Sequence, residues 1–314
     1  MRRAAAFAFV LSLAPILVFA AQLRGAWHAT VDGDRVHLDL LRDESHFGRS
    51  FPRAELPISD AQLNATTETP VSFTLARDAG RIAMTGSFQS GEGVGRFTFT
   101  PDPSYAQTIR ALGVGIDEEL TDEHLFSLAM MDVSTGFIRE MQALGYHESL
   151  SQYTAFRIHG VNSAFVRDLA ALGYSKLTAE QLVTFRIHGV SSDFVRAMKD
   201  LGYTPSADEL VAFRIHGVSS DFVRDMRDFG LKDLSADQLV AMRIHGVSSD
   251  YVRELRDLGY TGLSSDQLVA MRIHGVSTQF IRELKSAGYQ NVPVEKLIEM
   301  RIHGIDADFL RKAQ

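Results

Sequence analysis

The first third of the chain alternates apolar and polar residues with a period of two, which is typical of half-buried β-strands. Turn residues such as Asp32-Gly33-Asp34 separate the alternating stretches. We expect a small antiparallel β domain over residues 21–102, in which a six-stranded meander forms either a curved sheet or a partial barrel. The predicted strands are Ala26–Val31, Val36–Leu41, Phe47–Phe51, Val71–Ala76, Ile82–Phe88 and Gly95–Phe99. The predicted core aromatic residues are Trp27, Phe73, Phe88, Phe97 and Phe99.

Residues 121–314 repeat a single pattern seven times. One aromatic position recurs at intervals of 28 or 29 residues, at Phe137, Phe165, Phe194, Phe222, Tyr251, Phe280 and Phe309. A fixed period of this length indicates an array of supersecondary units, each stabilised by packing against the next. The sequence therefore predicts an α+β multidomain protein, in which residues 103–120 link the β domain to an α-solenoid of seven two-helix repeats.

Each copy of the repeat carries start and stop signals for two helices. In the fifth copy, Ser235 and Gln238 form a predicted capping box, and Gly246 is predicted to end the first helix in a left-handed conformation. Ser248 is the predicted N-cap of the second helix, which ends at Gly259. Capping boxes are also predicted at Ser149 with Gln152, Thr178 with Gln181, Ser206 with Glu209 and Ser264 with Gln267.

Residues 1–20 have the pattern of a secretory signal peptide. Arg2 and Arg3 supply the positive start, an uncharged apolar run follows, and Val18-Phe19-Ala20 resembles a cleavage site. We expect cleavage after Ala20 and a periplasmic or secreted mature protein without stable membrane insertion. No later stretch of sequence is long and apolar enough to cross a bilayer. The alternative is an uncleaved membrane anchor, although the apolar run is somewhat short for one.

The composition excludes several kinds of chemistry. The chain has no cysteine, so it has no disulfide bond, no thiolate zinc site and no thiol nucleophile. Its net charge of −7 is not the basic surplus of a general nucleic-acid binder. The sequence contains no zincin helix, no nucleophile elbow and no Walker loop. We therefore predict no enzyme activity, no cofactor, no metal and no nucleic-acid partner.

Six of the seven copies end their first helix with Arg-Ile-His-Gly, and we call these six tetrapeptides the ladder. They are Arg157–Gly160, Arg186–Gly189, Arg214–Gly217, Arg243–Gly246, Arg272–Gly275 and Arg301–Gly304. The glycine is predicted to adopt the left-handed backbone conformation that ends the helix. The isoleucine is predicted to pack in the core. The arginines and histidines are the candidate site, as partner-binding or as inter-repeat residues. They are Arg157, His159, Arg186, His188, Arg214, His216, Arg243, His245, Arg272, His274, Arg301 and His303.

The charged positions of the ladder allow several interpretations. The arginines either join neighbouring copies, with packed aliphatic stems, or form a row of guanidinium groups that binds carboxylates. The histidines lie in the last turn of a helix, where a ring nitrogen is predicted to donate to a free carbonyl. A pH-responsive column is an alternative. A shared metal ion is disfavoured, because successive copies of a solenoid lie about 10 Å apart.

The phrase Arg-Ile-His-Gly-Val-Ser-Ser-Asp-Phe-Val-Arg, followed by Leu-Gly-Tyr, resembles repeats in two groups of bacterial proteins. One group is uncharacterised exported proteins, and the other is the tail of membrane zinc-metallopeptidases of the beta-lactam-sensor type. The segment 26–102 is similar to the β-module that accompanies those repeats. The peptidase domain itself is absent. The resemblance implies an extracytoplasmic sensing or adaptor role, and it carries over no catalytic residue.

Three hypotheses on function follow from the sequence. The first is a non-enzymatic interaction or adaptor protein that binds a protein or peptide through the solenoid surface. The second is a sensor accessory whose β domain holds a small apolar or glycan ligand, or a regulatory partner of a membrane metallopeptidase. The third is a hydrolase with an unfamiliar site that involves His216 and His245. The sequence does not indicate the oligomeric state.

Intact-mass spectrometry of the chain expressed in a bacterium tests the signal-peptide interpretation. We expect the mature protein to begin at Ala21, because the residues up to Ala20 fit a cleaved signal. A protein that retains its first 20 residues would instead favour the uncleaved anchor.

Overall fold

The computed structural model describes residues 23–42, 45–306 and 309. The predicted signal peptide and its cleavage site lie outside these residues. The chain divides into two compact units, one comprising Met1–Gln142 with His147–Thr154 and the other comprising Ala143–Tyr146 with Ala155–Gln314. None of the helices in the described part of the chain has the length and apolarity that a membrane span requires.

All six predicted strands form, and they assemble into one open antiparallel sheet in the first unit. Strands β1 to β6 span Leu23–Asp32, Arg35–Arg42, Ser45–Pro52, Thr69–Arg77, Gly80–Gln89 and Glu92–Pro101. The order β3-β2-β1-β6-β5-β4 departs from a single meander, because two three-stranded meanders meet at the β1–β6 pair. The connection from β3 to β4 holds a 3₁₀ turn, Arg53–Glu55, and helix α1, Asp60–Leu63, so it is not a hairpin.

The five aromatic residues predicted for the core of the sheet are all buried. Trp27 lies over the paired glycines Gly86 and Gly95, where a Cβ atom would come within 2.7 Å of the indole ring. The indole Nε1 donates to the carbonyl of Thr85 at 3.2 Å. Two glycines in neighbouring strands therefore make room for the largest side chain of this core.

Part of the segment 103–120, predicted as a linker, is packed within the first unit. It contains helix α2, Tyr105–Ala111. Tyr105 and Ile109 are buried and lie on one face of the helix, four residues apart. The Tyr105 hydroxyl donates to the carbonyl of Val133 at 2.8 Å. The sequence analysis did not predict this helix, which is only seven residues long.

The helical repeats begin after residue 121, as predicted. The first helices of successive copies are α3 (Asp122–Met131), α5 (Leu150–His159), α7 (Ala179–Ile187), α9 (Ala207–His216), α11 (Ala236–Ile244), α13 (Ser265–Ile273) and α15 (Val294–Ile302). The second helices are α4 (Thr135–Ala143), α6 (Ser163–Ala171), α8 (Ser192–Asp200), α10 (Ser220–Asp228), α12 (Ser249–Asp257) and α14 (Thr278–Ser286). The second helix predicted for the seventh copy falls mostly outside the described residues.

The predicted helix caps are present. Both hydrogen bonds of the capping box form at Thr178, Ser206, Ser235 and Ser264. At the fifth predicted box, the amide of Gln152 donates to Ser149 Oγ at 3.4 Å. In the fifth copy, Gly246 and Gly259 are left-handed, with φ of 74° and 92°. The Ser248 side chain accepts a hydrogen bond from the amide of Tyr251.

In the second unit the copies stack as a two-layer α-solenoid. One layer is formed by α7, α9, α11, α13 and α15, each in contact with the next, and the other by α6, α8, α10, α12 and α14. The third to sixth copies each contribute several side chains with no solvent exposure, such as Leu210, Phe213 and Met226 of the fourth copy. Helices of nine or ten residues are marginal alone, so their stability comes from this packing.

Basic side chains of the second helices also join neighbouring copies. Each donates to a carbonyl at the carboxyl end of the preceding second helix, where a positive charge is favourable. The donor–acceptor pairs are Lys199 and Leu172 (2.7 Å), Arg227 and Leu201 (2.7 Å), Arg256 and Phe229 (2.7 Å), and Lys285 and Leu258 (2.8 Å). A single side chain therefore caps one helix while it belongs to the next copy.

The hydroxyl of Tyr251 adds a buried contact between the fifth and sixth copies. It donates to the carbonyl of Val276 at 2.7 Å. Burial raises the pKa of Tyr251 to about 12, from an ordinary value of 10.0. Ionisation would remove the proton that this hydrogen bond requires.

Tyr251→Phe tests this contact through stability and its pH dependence. At neutral pH we expect a loss of about 1–2 kcal/mol in the free energy of unfolding, because a buried carbonyl loses its donor. Because the folded-state pKa is raised, the contribution of the hydroxyl is complete below pH 10 and is lost between pH 10 and about 12. The stability gap between wild type and variant in urea titrations should narrow above pH 10. A gap that stays constant would contradict this assignment.

Candidate binding surface

The six ladder isoleucines are exposed, so the prediction that they pack in the core is wrong. Between 54% and 58% of each residue's surface remains accessible, at Ile158, Ile187, Ile215, Ile244, Ile273 and Ile302. The helical period explains this placement, because two residues along a helix correspond to a rotation of about 200°. When Met242 faces the core with no exposure, Ile244 faces solvent.

The ladder arginines stack on the aromatic residue of the preceding copy. The distance from the guanidinium carbon to the ring centroid lies between 4.7 and 5.1 Å at five successive copies. The pairs are Arg186 with Phe165, Arg214 with Phe194, Arg243 with Phe222, Arg272 with Tyr251, and Arg301 with Phe280. This geometry is a cation–π contact, and it supports the interpretation of the arginines as inter-repeat residues.

Each of these guanidinium groups also lies close to the ladder glycine of the preceding copy. A Cβ atom at Gly160 would lie 2.8 Å from Nη2 of Arg186, and one at Gly246 would lie 3.0 Å from Nη2 of Arg272. The left-handed φ favours glycine at this position, and the missing side chain leaves room for the neighbouring guanidinium group. Nε of Arg186 donates to the carbonyl of His159 at 3.2 Å.

The hydrogen bond of Arg186 is not shared by every copy. Nε of Arg243 and of Arg301 is buried and has no hydrogen-bond partner within the described residues. Stacking on Phe222 and Phe280 therefore holds these two guanidinium groups. Both arginine residues are half-buried.

The ladder histidines do not donate to helix-end carbonyls as predicted. Five of the rings are exposed and that of His159 is half-buried, and none has a side-chain hydrogen bond within the described residues. Backbone donors already occupy those carbonyls. In the fifth copy the amide of Gly246 donates to the carbonyl of Arg243 at 3.1 Å, and that of Val247 donates to Met242 at 2.8 Å. The imidazoles therefore remain available on the surface.

Charge is distributed unequally between the two ends of the first helices. The first turns of α7, α9, α11, α13 and α15 carry carboxylates, whereas their last turns carry the ladder arginines. The stacked helices run in the same direction, since each arginine reaches the carboxyl end of the preceding first helix. Acidic residues therefore follow one edge of the solenoid, and the ladder follows the other.

Three aspartates that follow the ladder in sequence are already paired. Asp193, Asp221 and Asp250 form ion pairs with Arg196, Arg224 and Arg253, respectively, one turn further along the second helix. The ladder arginines are therefore not neutralised by these residues. The ladder edge combines exposed isoleucine, exposed imidazole and a row of arginines, although the whole chain is acidic.

A second polar cluster lies on the sheet of the first unit, and the sequence analysis missed it. Asp39 accepts from His46 Nε2 at 2.8 Å and lies 3.2 Å from His37 Nε2 and 4.0 Å from His28 Nδ1. His28 Nε2 also lies 2.9 Å from a carboxylate oxygen of Glu92. The alternation of His37 and Asp39 along one strand, which places them on one face, was the available signal.

These imidazoles pair with carboxylates and do not surround a common point. Within 23–42, 45–306 and 309, no three histidine or acidic side chains are placed to hold a metal ion. The aromatic residues that motivated a ligand site in the β domain are occupied in packing. Phe97 and Phe99, for example, lie 5.5 and 5.3 Å from the ring of Phe126 on α3.

Comparisons with known proteins do not add to this description. No protein-family model, no curated protein and no solved structure matches the chain.

Substitutions at two adjacent positions distinguish the residue that joins neighbouring copies from the residue that faces solvent. Arg214→Ala should lower the free energy of unfolding by about 1 kcal/mol, because it removes stacking on Phe194 at 5.0 Å and the packing of the aliphatic stem. Ile215→Ser should change it by less than about 0.5 kcal/mol, since the side chain is exposed and the two residues have similar helix propensities. Denaturant unfolding measures both. A larger loss for Ile215→Ser than for Arg214→Ala would contradict the structure.

Proposed function

We propose that this chain is a non-enzymatic interaction protein that binds a protein or peptide partner through the ladder. The observation that carries the proposal is the recurrence of a half-exposed isoleucine at one position of six successive copies. Single exposed apolar residues are ordinary on protein surfaces. Six of them in equivalent places along one edge form a regular apolar row, which supports an interaction site.

Folding explains only half of the tetrapeptide. Inter-copy stacking accounts for the arginine, and the left-handed helix end accounts for the glycine. Neither the exposed isoleucine nor the exposed imidazole contributes comparably to packing, yet both recur in all six copies. A partner that covers this edge supplies the missing role for both residues.

The energetics favour a partner that contacts several copies at once. Covering the exposed half of one isoleucine contributes about 1 kcal/mol, which is too little for stable binding. Contacts at successive copies within one partner add to each other without a separate association cost. The proposed partner is therefore long enough to reach several isoleucines.

Site-specific photo-crosslinking tests this proposal. A photo-reactive phenylalanine analogue replaces His245 in the ladder and, as a matched control, Asp237 in the first turn of the same helix. In cells that carry the native protein, we expect a crosslinked product of discrete mass from position 245 and not from position 237. The product should diminish when Ile215 and Ile273, which flank position 245 in the neighbouring copies, are changed to serine.

Two outcomes would refute the ladder as the binding surface. One is equal crosslinking from both positions, and the other is a product that is insensitive to the isoleucine substitutions. Circular dichroism of each variant checks that the helical content is unchanged, so that loss of fold does not imitate loss of binding.

A further inference from the structure

The spacing of the ladder limits the conformation of what binds it. Equivalent residues of adjacent copies are separated by one helix-packing distance, about 8–10 Å, because the first helices contact each other directly. A linear partner that contacts every copy must present an equivalent group at that interval. The partner must also present these groups on one side.

A polyproline II segment meets both requirements. It has three residues per turn and rises 3.1 Å per residue, so every third side chain lies on the same side at intervals of about 9.3 Å. In a β-strand, residues three apart point to opposite faces. An α-helix repeats a face at a similar distance only every seven residues, and its carbonyl groups are occupied internally.

The polar groups of the ladder are mainly donors. A guanidinium group has five N–H donors and no acceptor, and the exposed imidazoles add further donor capacity. The backbone of a polyproline II segment has no internal hydrogen bonds, so its carbonyls are free to accept. Carboxylate side chains would meet the arginines, since the three aspartates that follow the ladder in the third, fourth and fifth copies are already paired.

We propose, resting on the proposed function, that the ladder binds an acidic peptide in the polyproline II conformation with an apolar residue at every third position. Each apolar side chain contacts one ladder isoleucine. Each carboxylate meets the accessible edge of a ladder arginine that remains stacked on its aromatic ring. The peptide lies along the array and spans one copy per three residues.

Fluorescence anisotropy with synthetic peptides and the full chain tests this inference. The probe is a labelled peptide of five Glu-Pro-Leu triplets. The comparison peptides have the same composition with the leucines grouped at one end, lysine in place of glutamate, or leucine at helical spacing in an alanine- and glutamate-rich sequence. We expect each comparison peptide to bind at least about tenfold more weakly than the probe. Added salt should weaken binding of the probe.

Matched variants locate the binding edge. Substituting serine at Ile215, Ile244 and Ile273 should weaken probe binding at least about tenfold, because three apolar contacts are lost. The control variant carries asparagine at Asp208, Asp237 and Asp266, which lie in the first turns of the same three helices. Its affinity for the probe should stay within about twofold of wild type, since these residues lie at the opposite edge.

Several results would overturn the inference. They are equal binding of the grouped or lysine peptide, tighter binding of the helical peptide, and no binding of the probe. Isoleucine-dependent binding to phosphatidylglycerol vesicles without probe binding would also overturn it, in favour of a lipid surface. If position 245 still yields an isoleucine-dependent crosslink while the probe fails, only the peptide class is wrong. If both experiments fail, the proposed function fails as well.

Discussion

The array depends on the guanidinium group that each copy places on its predecessor. The arginine stacks on an aromatic ring at about 5 Å and lies over a glycine that has no side chain to obstruct it. The preceding copy thus supplies a flat ring and an open helix end, and the next copy supplies one cation that fits both. Lysine and arginine residues of the second helices also join neighbouring copies, by donating to carbonyls at the carboxyl end of the preceding second helix. Because helices of nine or ten residues are marginal alone, such contacts help to determine whether a copy is ordered.

The four residues of the tetrapeptide form two pairs that face different surroundings. Arginine and glycine face the neighbouring copy, whereas isoleucine and histidine face solvent. This separation follows from the helical rotation between adjacent positions and requires no additional element. The array therefore does not depend on the exposed pair. The charge asymmetry has a different origin, since acids at the start and bases at the end of each first helix are favourable to the helix dipole.

The local features of the fold were predictable from the sequence, and the long-range ones were not. The strands, the capping serines and the left-handed Gly246 each depend on a few neighbouring residues. The order of the strands depends on which edges meet, and the pairing of β1 with β6 has no local signal. Within the ladder, the apolar character of Ile244 suggested burial, but its angle from Met242 places it outside. The sequence places His37 and Asp39 on one face of a strand, but only the sheet register brings His28 and His46 to them.

A double-mutant cycle between Arg243 and Phe222 measures the coupling of neighbouring copies most directly. Their contact is 5.0 Å from the guanidinium carbon to the ring centroid. If stacking holds the array together, Arg243→Ala and Phe222→Leu should show a coupling free energy of about 1 kcal/mol in denaturant unfolding. The control cycle of Arg243→Ala with Phe280→Leu should be additive, because Arg301 and not Arg243 stacks on that ring. Additivity of both cycles would contradict the central role of the stacked arginine.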